Sequence, residues 1–163
     1  MARFSFNGNT MRQYINKLAT MGEKAEEIEN KALYRATKVY ADELRKQTEA
    51  LPVQDGMAKK GEHINVLSAV QKNELLKSIS IYDVKAKRSG LKVRSVGFVG
   101  YNSIKTKKYP KGQPNRLIAA SVNSGSSVRQ KDPFVRRAQQ GTRAKCVQEM
   151  QDTVDAEIEK YTK

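Results

Sequence analysis

Ile28, Ala32, Leu33, Ala36, Val39, Tyr40, Leu44 and Leu51 recur at helical spacing, with Glu and Lys at most positions between them. Gln47 or Thr48 fills the turn between Leu44 and Leu51. The pattern predicts an amphipathic helix from about Glu23 to Ala50, roughly 40 Å long at about 1.5 Å per residue. Pro52 stops it, because proline lacks the amide hydrogen a further turn needs. Ahead of this helix, Thr10-x-x-Gln13 has capping-box spacing. Met11, Tyr14, Ile15 and Leu18 then share one face of a shorter helix that Gly22 would end.

Periodicity fades from Val53 to Asn73. Gln54-Asp55-Gly56 reads as a turn and Lys59-Lys60-Gly61 as loop, while Ile64 to Val70 fits a short helix or a strand equally well. A connection of about twenty residues is long for a passive link and is expected to order against a neighbour or stay mobile. Alternation then begins. From Leu75 to Val84, Ile79 and Ile81 point one way and Ser78, Ser80 and Tyr82 the other. Lys87-Arg88-Ser89-Gly90 is a hairpin signal, and Leu91 to Tyr101 is the return strand. Val96, Phe98 and Gly100 share a face of it, and Gly97 and Gly100 mark a bulge or a close backbone approach. Lys105 to Gly112 is a basic loop, and Leu117 to Val122 is a third strand or a helical turn leading into one.

From Ser121 to Ala138 the chain is expected to end a strand, turn at Asn123-Ser124-Gly125 and open a helix at Asp132-Pro133-Phe134. Asp before Pro is a helix-start signal: the carboxylate accepts amide hydrogens of the first turn, and proline is best tolerated at the first helical position. The helix runs to about Tyr161, with a break allowed at Gly141, and buries Phe134, Ala138, Val147, Met150, Val154 and Ile158. The predicted order ααβββα describes an α+β fold, a long N-terminal helix and a C-terminal helix packed on a small antiparallel sheet. One domain over 1–163 is expected, helical over 1–52, sheet with a basic loop over 75–122 and helical again over 132–161.

Charge sharpens this picture. The net charge is +14, and 16 of the 31 Lys and Arg lie between Lys85 and Lys145 with one acid, Asp132. The remaining chain holds 15 basic and 16 acidic residues, so the whole excess sits in that segment. Such concentration points to an acidic partner: nucleic acid, membrane headgroups or a negative protein face. Lys105, Lys107, Lys108 and Lys111 around Tyr109 suit a phosphate backbone with one stacked base, and Arg129, Arg136, Arg137 and Arg143 extend the set. The same lysines suit an acidic protein surface. No RNP, KH, zinc-finger or helix-turn-helix pattern accompanies them.

Catalytic chemistry finds no foothold. His63 is the only histidine and Cys146 the only cysteine, so no Cys/His zinc set and no Ser-His-Asp arrangement can be built. Cys146, beside Val147, is expected to be a buried or half-buried thiol without a base to activate it. The acidic clusters Glu23, Glu26, Glu27, Glu29 and Asp152, Asp155, Glu157, Glu159 lack metal-ligand spacing. Gly97-Phe98-Val99-Gly100 is too short for a dinucleotide fingerprint. No enzyme, cofactor or metal is expected. A lone cysteine fits a reducing compartment, no apolar run is long enough to span a bilayer, and Met1 to Phe6 lacks a signal-peptide core, so a soluble protein off the membrane is expected.

Several short motifs occur in a telling order. A long helix centred on Lys31-Ala32-Leu33-Tyr34-Arg35-Ala36 is followed by Pro52-Val53-Gln54-Asp55-Gly56, then Leu75-Leu76-Lys77-Ser78-Ile79. Val96-Gly97-Phe98-Val99-Gly100, Asn123-Ser124-Gly125-Ser126 and Asp132-Pro133-Phe134-Val135-Arg136-Arg137-Ala138 complete the series. From about Glu26 to Ile158, with gaps, the order resembles the small head–tail joining (neck or tail-completion) proteins of long-tailed bacteriophages. In that family a helix leads through a Pro-Val-x-Thr-Gly loop to a Leu-x-x-Ser-Ile strand entry. A Gly-containing second strand, a Glu-x-Gly-Thr turn and a Pro-Phe-aliphatic-x-x-Ala helix opening follow. This chain departs by carrying Asn123 for the turn Glu, Asp55 for the loop Thr, and about twenty residues between loop and strand entry.

The resemblance implies a structural virion component, made in the host cytoplasm and located at the head–tail interface. It would form a homo-oligomeric ring against adjacent connector and tail proteins, with DNA possible as a passing partner and no membrane. The 53–73 segment and the Lys105–Gly112 loop are the expected contact elements. Lys105, Lys107, Lys108, Lys111, Arg129, Lys131, Arg136 and Arg137 are the candidate partner-facing or DNA-facing residues. The alternative is a small basic nucleic-acid-binding protein.

Overall fold

A computed structural model describes residues 4–5, 22, 24–54, 67–85, 92–127 and 129–162. The predicted helix over Thr10 to Leu18, the Asp55–Gly56 and Lys59–Gly61 turns, His63 and the Lys87–Gly90 hairpin turn lie outside these residues, while Gly22 is described, with φ +62°. The amphipathic stripe becomes α1 (Lys24–Glu49), 26 residues long. Ile28, Ala32, Leu33, Ala36, Tyr40 and Leu44 are buried as expected, and Val39 is half-buried. Thr37 and Thr48 join them at 0% exposure because each hydroxyl donates to the carbonyl four residues back, at 2.5 Å and 2.7 Å.

The segment from Leu75 to Ser78 corrects the expectation of a strand: it is the end of a helix, α2 (Ala69–Ser78). Ser68 caps it, accepting from the Gln71 amide at 3.2 Å while Ser68 N–H donates to Gln71 Oε1 at 3.3 Å. The chain then turns directly into β2 (Ile79–Lys85) and returns as β3 (Lys92–Phe98), each seven residues. The outer edge of β3 carries β1 (Phe4–Ser5), which pairs antiparallel with Val96 and Ser95 and gives the order β1-β3-β2.

Leu117 to Val122 is helical rather than a strand. It lies within α3 (Asn115–Ser124), where Asn115, Ile118, Ala119 and Val122 fall on one buried face at 3–4-residue spacing. The 123–125 turn therefore ends a helix, at Gly125 with φ +77°. The last helix, α4 (Phe134–Thr162), runs 29 residues without a break at Gly141. Its buried residues include Phe134, Ala138, Met150 and Val154 as expected, with Val147 and Ile158 half-buried. The class is α+β, two long helices with a small antiparallel sheet.

The described residues divide into two compact units, each with its own core. One lies within 42–80 and 97–140 and buries Leu44, Leu51, Leu67, Leu75, Ile118 and Phe134 among others. Phe134 meets Phe98 edge-on with ring centroids 6.0 Å apart, so the aromatic at the head of α4 is seated on β3. The other unit lies within 4–41, 81–96 and 141–163 and buries Ile28, Leu33, Tyr40, Val96, Cys146 and Val154. There Glu157 Oε1 receives Lys31 Nζ at 2.6 Å and Lys160 Nζ at 2.7 Å, and Arg94 lies over the Tyr34 ring at 5.5 Å.

Candidate functional site

All eight candidate partner-facing residues belong to the first unit. Its lysine loop is closed at the base by an antiparallel bridge between Tyr101 and Pro114. Asn102 organises the interior. Its Oδ1 accepts from Gln113 N–H at 2.9 Å and Ile104 N–H at 3.1 Å, and its own N–H donates to Gln113 O at 2.9 Å. Thr106 and Tyr109 exchange backbone hydrogen bonds at 3.1 Å and 3.0 Å, which turns the tip. Gly112 sits against this frame at φ +106°, where a Cβ would lie 1.8 Å from Asn102 O, so only glycine fits.

Lys105, Lys107, Lys108 and Lys111 project from this frame and are exposed. Among the described residues none of the four meets a carboxylate at ion-pair distance. Lys108 Nζ lies 5.7 Å from the centre of the half-buried Tyr109 ring, so one face of that ring is already occupied. Val99 and Tyr101 at the start of the loop and Leu117 just after it are exposed large apolar side chains, as are Val53 and Val70 in the same unit. The loop is thus a positively charged projection with an apolar border.

The arginines and Lys131 divide. Arg129 is half-buried: its Nη2 donates to Gln71 Oε1 at 2.9 Å, and Gln71 Nε2 donates to Gln113 Oε1 at 3.0 Å. Gln71 therefore ties the 124–131 turn to the base of the lysine loop. Burial pulls the Arg129 guanidinium below its ordinary pKa. Arg137 is held by Asp132, Nη1 to Oδ1 at 2.7 Å, and by Gln47, Nε to Oε1 at 3.1 Å. Lys131 and Arg136 are exposed, as is Arg143, which lies in the other unit. Four lysines of the loop, Lys131 and Arg136 are exposed; Arg137 is exposed too but tied to Asp132 and Gln47, and Arg129 is the half-buried one that braces the unit.

Gln71, Asn102, Gln113 and Asn115 are the positioning residues that sequence reasoning missed. Asn115 Nδ2 donates to Val99 O at 3.1 Å and its N–H to Gly100 O at 3.1 Å, which fixes where the loop leaves β3. The capping-box spacing Ser68-x-x-Gln71 was a readable signal for one of them; Asn102 and Gln113 carry none.

Among the described residues no three His, Cys, Asp or Glu side chains come together as a metal site, and no helix is long and apolar enough to cross a membrane. Cys146 is fully buried on α4, where burial pushes its thiol pKa up, partly offset by hydrogen bonds to the Thr142 side chain and the Tyr40 backbone. The Tyr40 phenol is pushed up to about 12, mainly by burial. No protein-family model, curated protein or solved structure matches this chain.

Proposed function

We propose that this chain is a structural protein of the neck of a long-tailed bacteriophage, forming a homo-oligomeric ring that joins the head connector to the tail (tail completion). The family rests on the order of sequence motifs from the long helix to the Pro-Phe opening of α4. The observation that carries a partner-binding role is the hydrogen-bonded lysine loop, whose exposed ammonium groups meet no carboxylate among the described residues, bordered by exposed Val99, Tyr101 and Leu117. Apolar side chains beside charge are what a protein partner covers, since each buried apolar group adds affinity while the charges set register. Detection of the chain in purified particles tests the reading. Mass spectrometry of gradient-purified virions is expected to find it at a stoichiometry of several copies per particle, and absence from particles overturns it.

The second reading, a small nucleic-acid-binding protein, draws on the same exposed lysines. Phosphate contacts release counterions, so affinity for DNA would fall steeply with rising salt. The Lys108 ammonium over Tyr109 argues against base stacking on that face. Binding to duplex and single-stranded DNA as a function of salt separates the readings. Negligible affinity at low salt assigns the basic face to protein contacts. Tight binding lost on replacing all four loop lysines by alanine assigns it to nucleic acid.

A further inference from the structure

The lysine loop has a surface of opposite sign elsewhere in the same chain. From Glu149 to Lys160, α4 holds five acids and one base. Glu149 is half-buried, and Glu157 is buried and given to Lys31 and Lys160. Asp152, Asp155 and Glu159 are exposed. Spacings of three and four residues put these three on one face of the helix, with the exposed Ala156 between them. Asp152 accepts from the neutral amide of Gln148, Nε2 to Oδ1 at 2.7 Å. Neither Asp152 nor Asp155 meets a cation at ion-pair distance among the described residues. Negative charge towards a helix C-terminus opposes the helix dipole, so the stability of α4 does not account for the stripe.

We propose that the lysine loop of one copy docks on the Asp152, Asp155 and Glu159 face of a second copy. The two surfaces match in kind. The loop offers lysines beside exposed Val99, Tyr101 and Leu117, and the stripe offers carboxylates around a small apolar residue. Opposite charges steer the encounter and set its register, while the apolar side chains are covered. The contact rests on the reading of the loop as a protein interface and names the partner as this chain itself. Loop and stripe are different surfaces, so the contact is heterologous. A copy that gives its loop to one neighbour still offers its stripe to another, and repetition builds a ring where the rotation closes.

Sedimentation of the full chain over a concentration series tests the contact with two charge-reversed variants. Lys105→Glu with Lys107→Glu makes the loop acidic, and Asp152→Lys with Asp155→Lys makes the stripe basic. All four side chains are exposed, and circular dichroism checks that each variant folds. Wild type is expected to self-associate, less at high salt, and each variant alone to do so about tenfold or more weakly. An equal mixture of the two variants is expected to recover association. In it the acidic loop meets a basic stripe, and the unaltered loop meets an unaltered stripe. A wild type still monomeric at about 1 mM overturns the contact. So does a mixture no stronger than its components, or equal association in wild type and both variants. That last result leaves the ring standing on other contacts, whereas absence of the chain from virions overturns the ring and not the contact.

Discussion

The side-chain oxygen of Asn123 accepts the backbone N–H of Val135 at 3.2 Å, so the side-chain cap of α4 comes from the end of α3 rather than from the carboxylate of Asp132, whose backbone carbonyl accepts the Phe134 N–H at 2.8 Å. The carboxylate of Asp132 is turned instead to Arg137, and its backbone N–H donates to Val122 O at 2.8 Å. The turn between the helices is therefore a mutual clasp. Asn123→Ala is expected to cost about 1 kcal/mol, the usual value of a lost cap, in urea denaturation. Asp132→Ala is expected to cost less, because its ion pair is partly exposed. The reverse ranking would contradict the clasp.

Gly112 and Gly100 both have positive φ, at +106° and +71°, yet differ in surroundings. A Cβ on Gly112 would collide with Asn102 O, while Gly100 has nothing within 4 Å. Gly112→Ala is expected to destabilise by about 2–4 kcal/mol or displace the lysine loop. Gly100→Ala is expected to cost about 1–2 kcal/mol from backbone strain alone. Paired denaturation curves check the ranking, and equal losses would show that the Asn102 frame does not hold the loop.

Glu157 gives the fold a pH signature. Hydrogen bonds from Lys160 and then Lys31 hold its carboxyl at about 2, below the ordinary value of 4.5. A depressed folded-state pKa means stability that is present above the unfolded pKa and lost as pH falls through the folded one. The window is therefore about pH 4.5 down to about 2. Wild type is expected to exceed Glu157→Gln in urea midpoint at pH 6, with the gap shrinking across that window. A gap constant from pH 6 to pH 2 would contradict the pairing.

Cys146 should be chemically silent in the folded protein. It is fully buried, with its thiol pKa raised by burial, so little thiolate forms and reagents cannot reach it. Labelling by a thiol reagent at pH 8 is expected to be slow in buffer and rapid in denaturing urea. Fast labelling of the native protein would contradict this.

Long-range periodicity was legible in the sequence, and short apolar runs were not. The α1 stripe and the Phe134 seat could be read because many positions agreed over several turns. Leu75–Ser78 and Leu117–Val122 misled for one reason: over four to six residues an apolar run fits a helix or a strand. In the first case Ser68 and Gln71 held the deciding cap. In the second the spacing of Asn115, Ile118 and Val122 did. β1 is two residues long and has no pattern to read. Of the candidate site, the lysine loop was visible as a charge run. The separation of exposed lysines from tied arginines was not, because Arg129 and Arg137 are held by Gln71 and Gln47, more than fifty residues away in the chain.

A cryo-electron reconstruction of the virion neck tests the central claim most directly. The account predicts a ring of this chain between head connector and tail, with Lys105–Lys111 and the exposed Tyr101 and Leu117 against neighbouring protein. A neck reconstruction in which every protein density is assigned to other chains would contradict it.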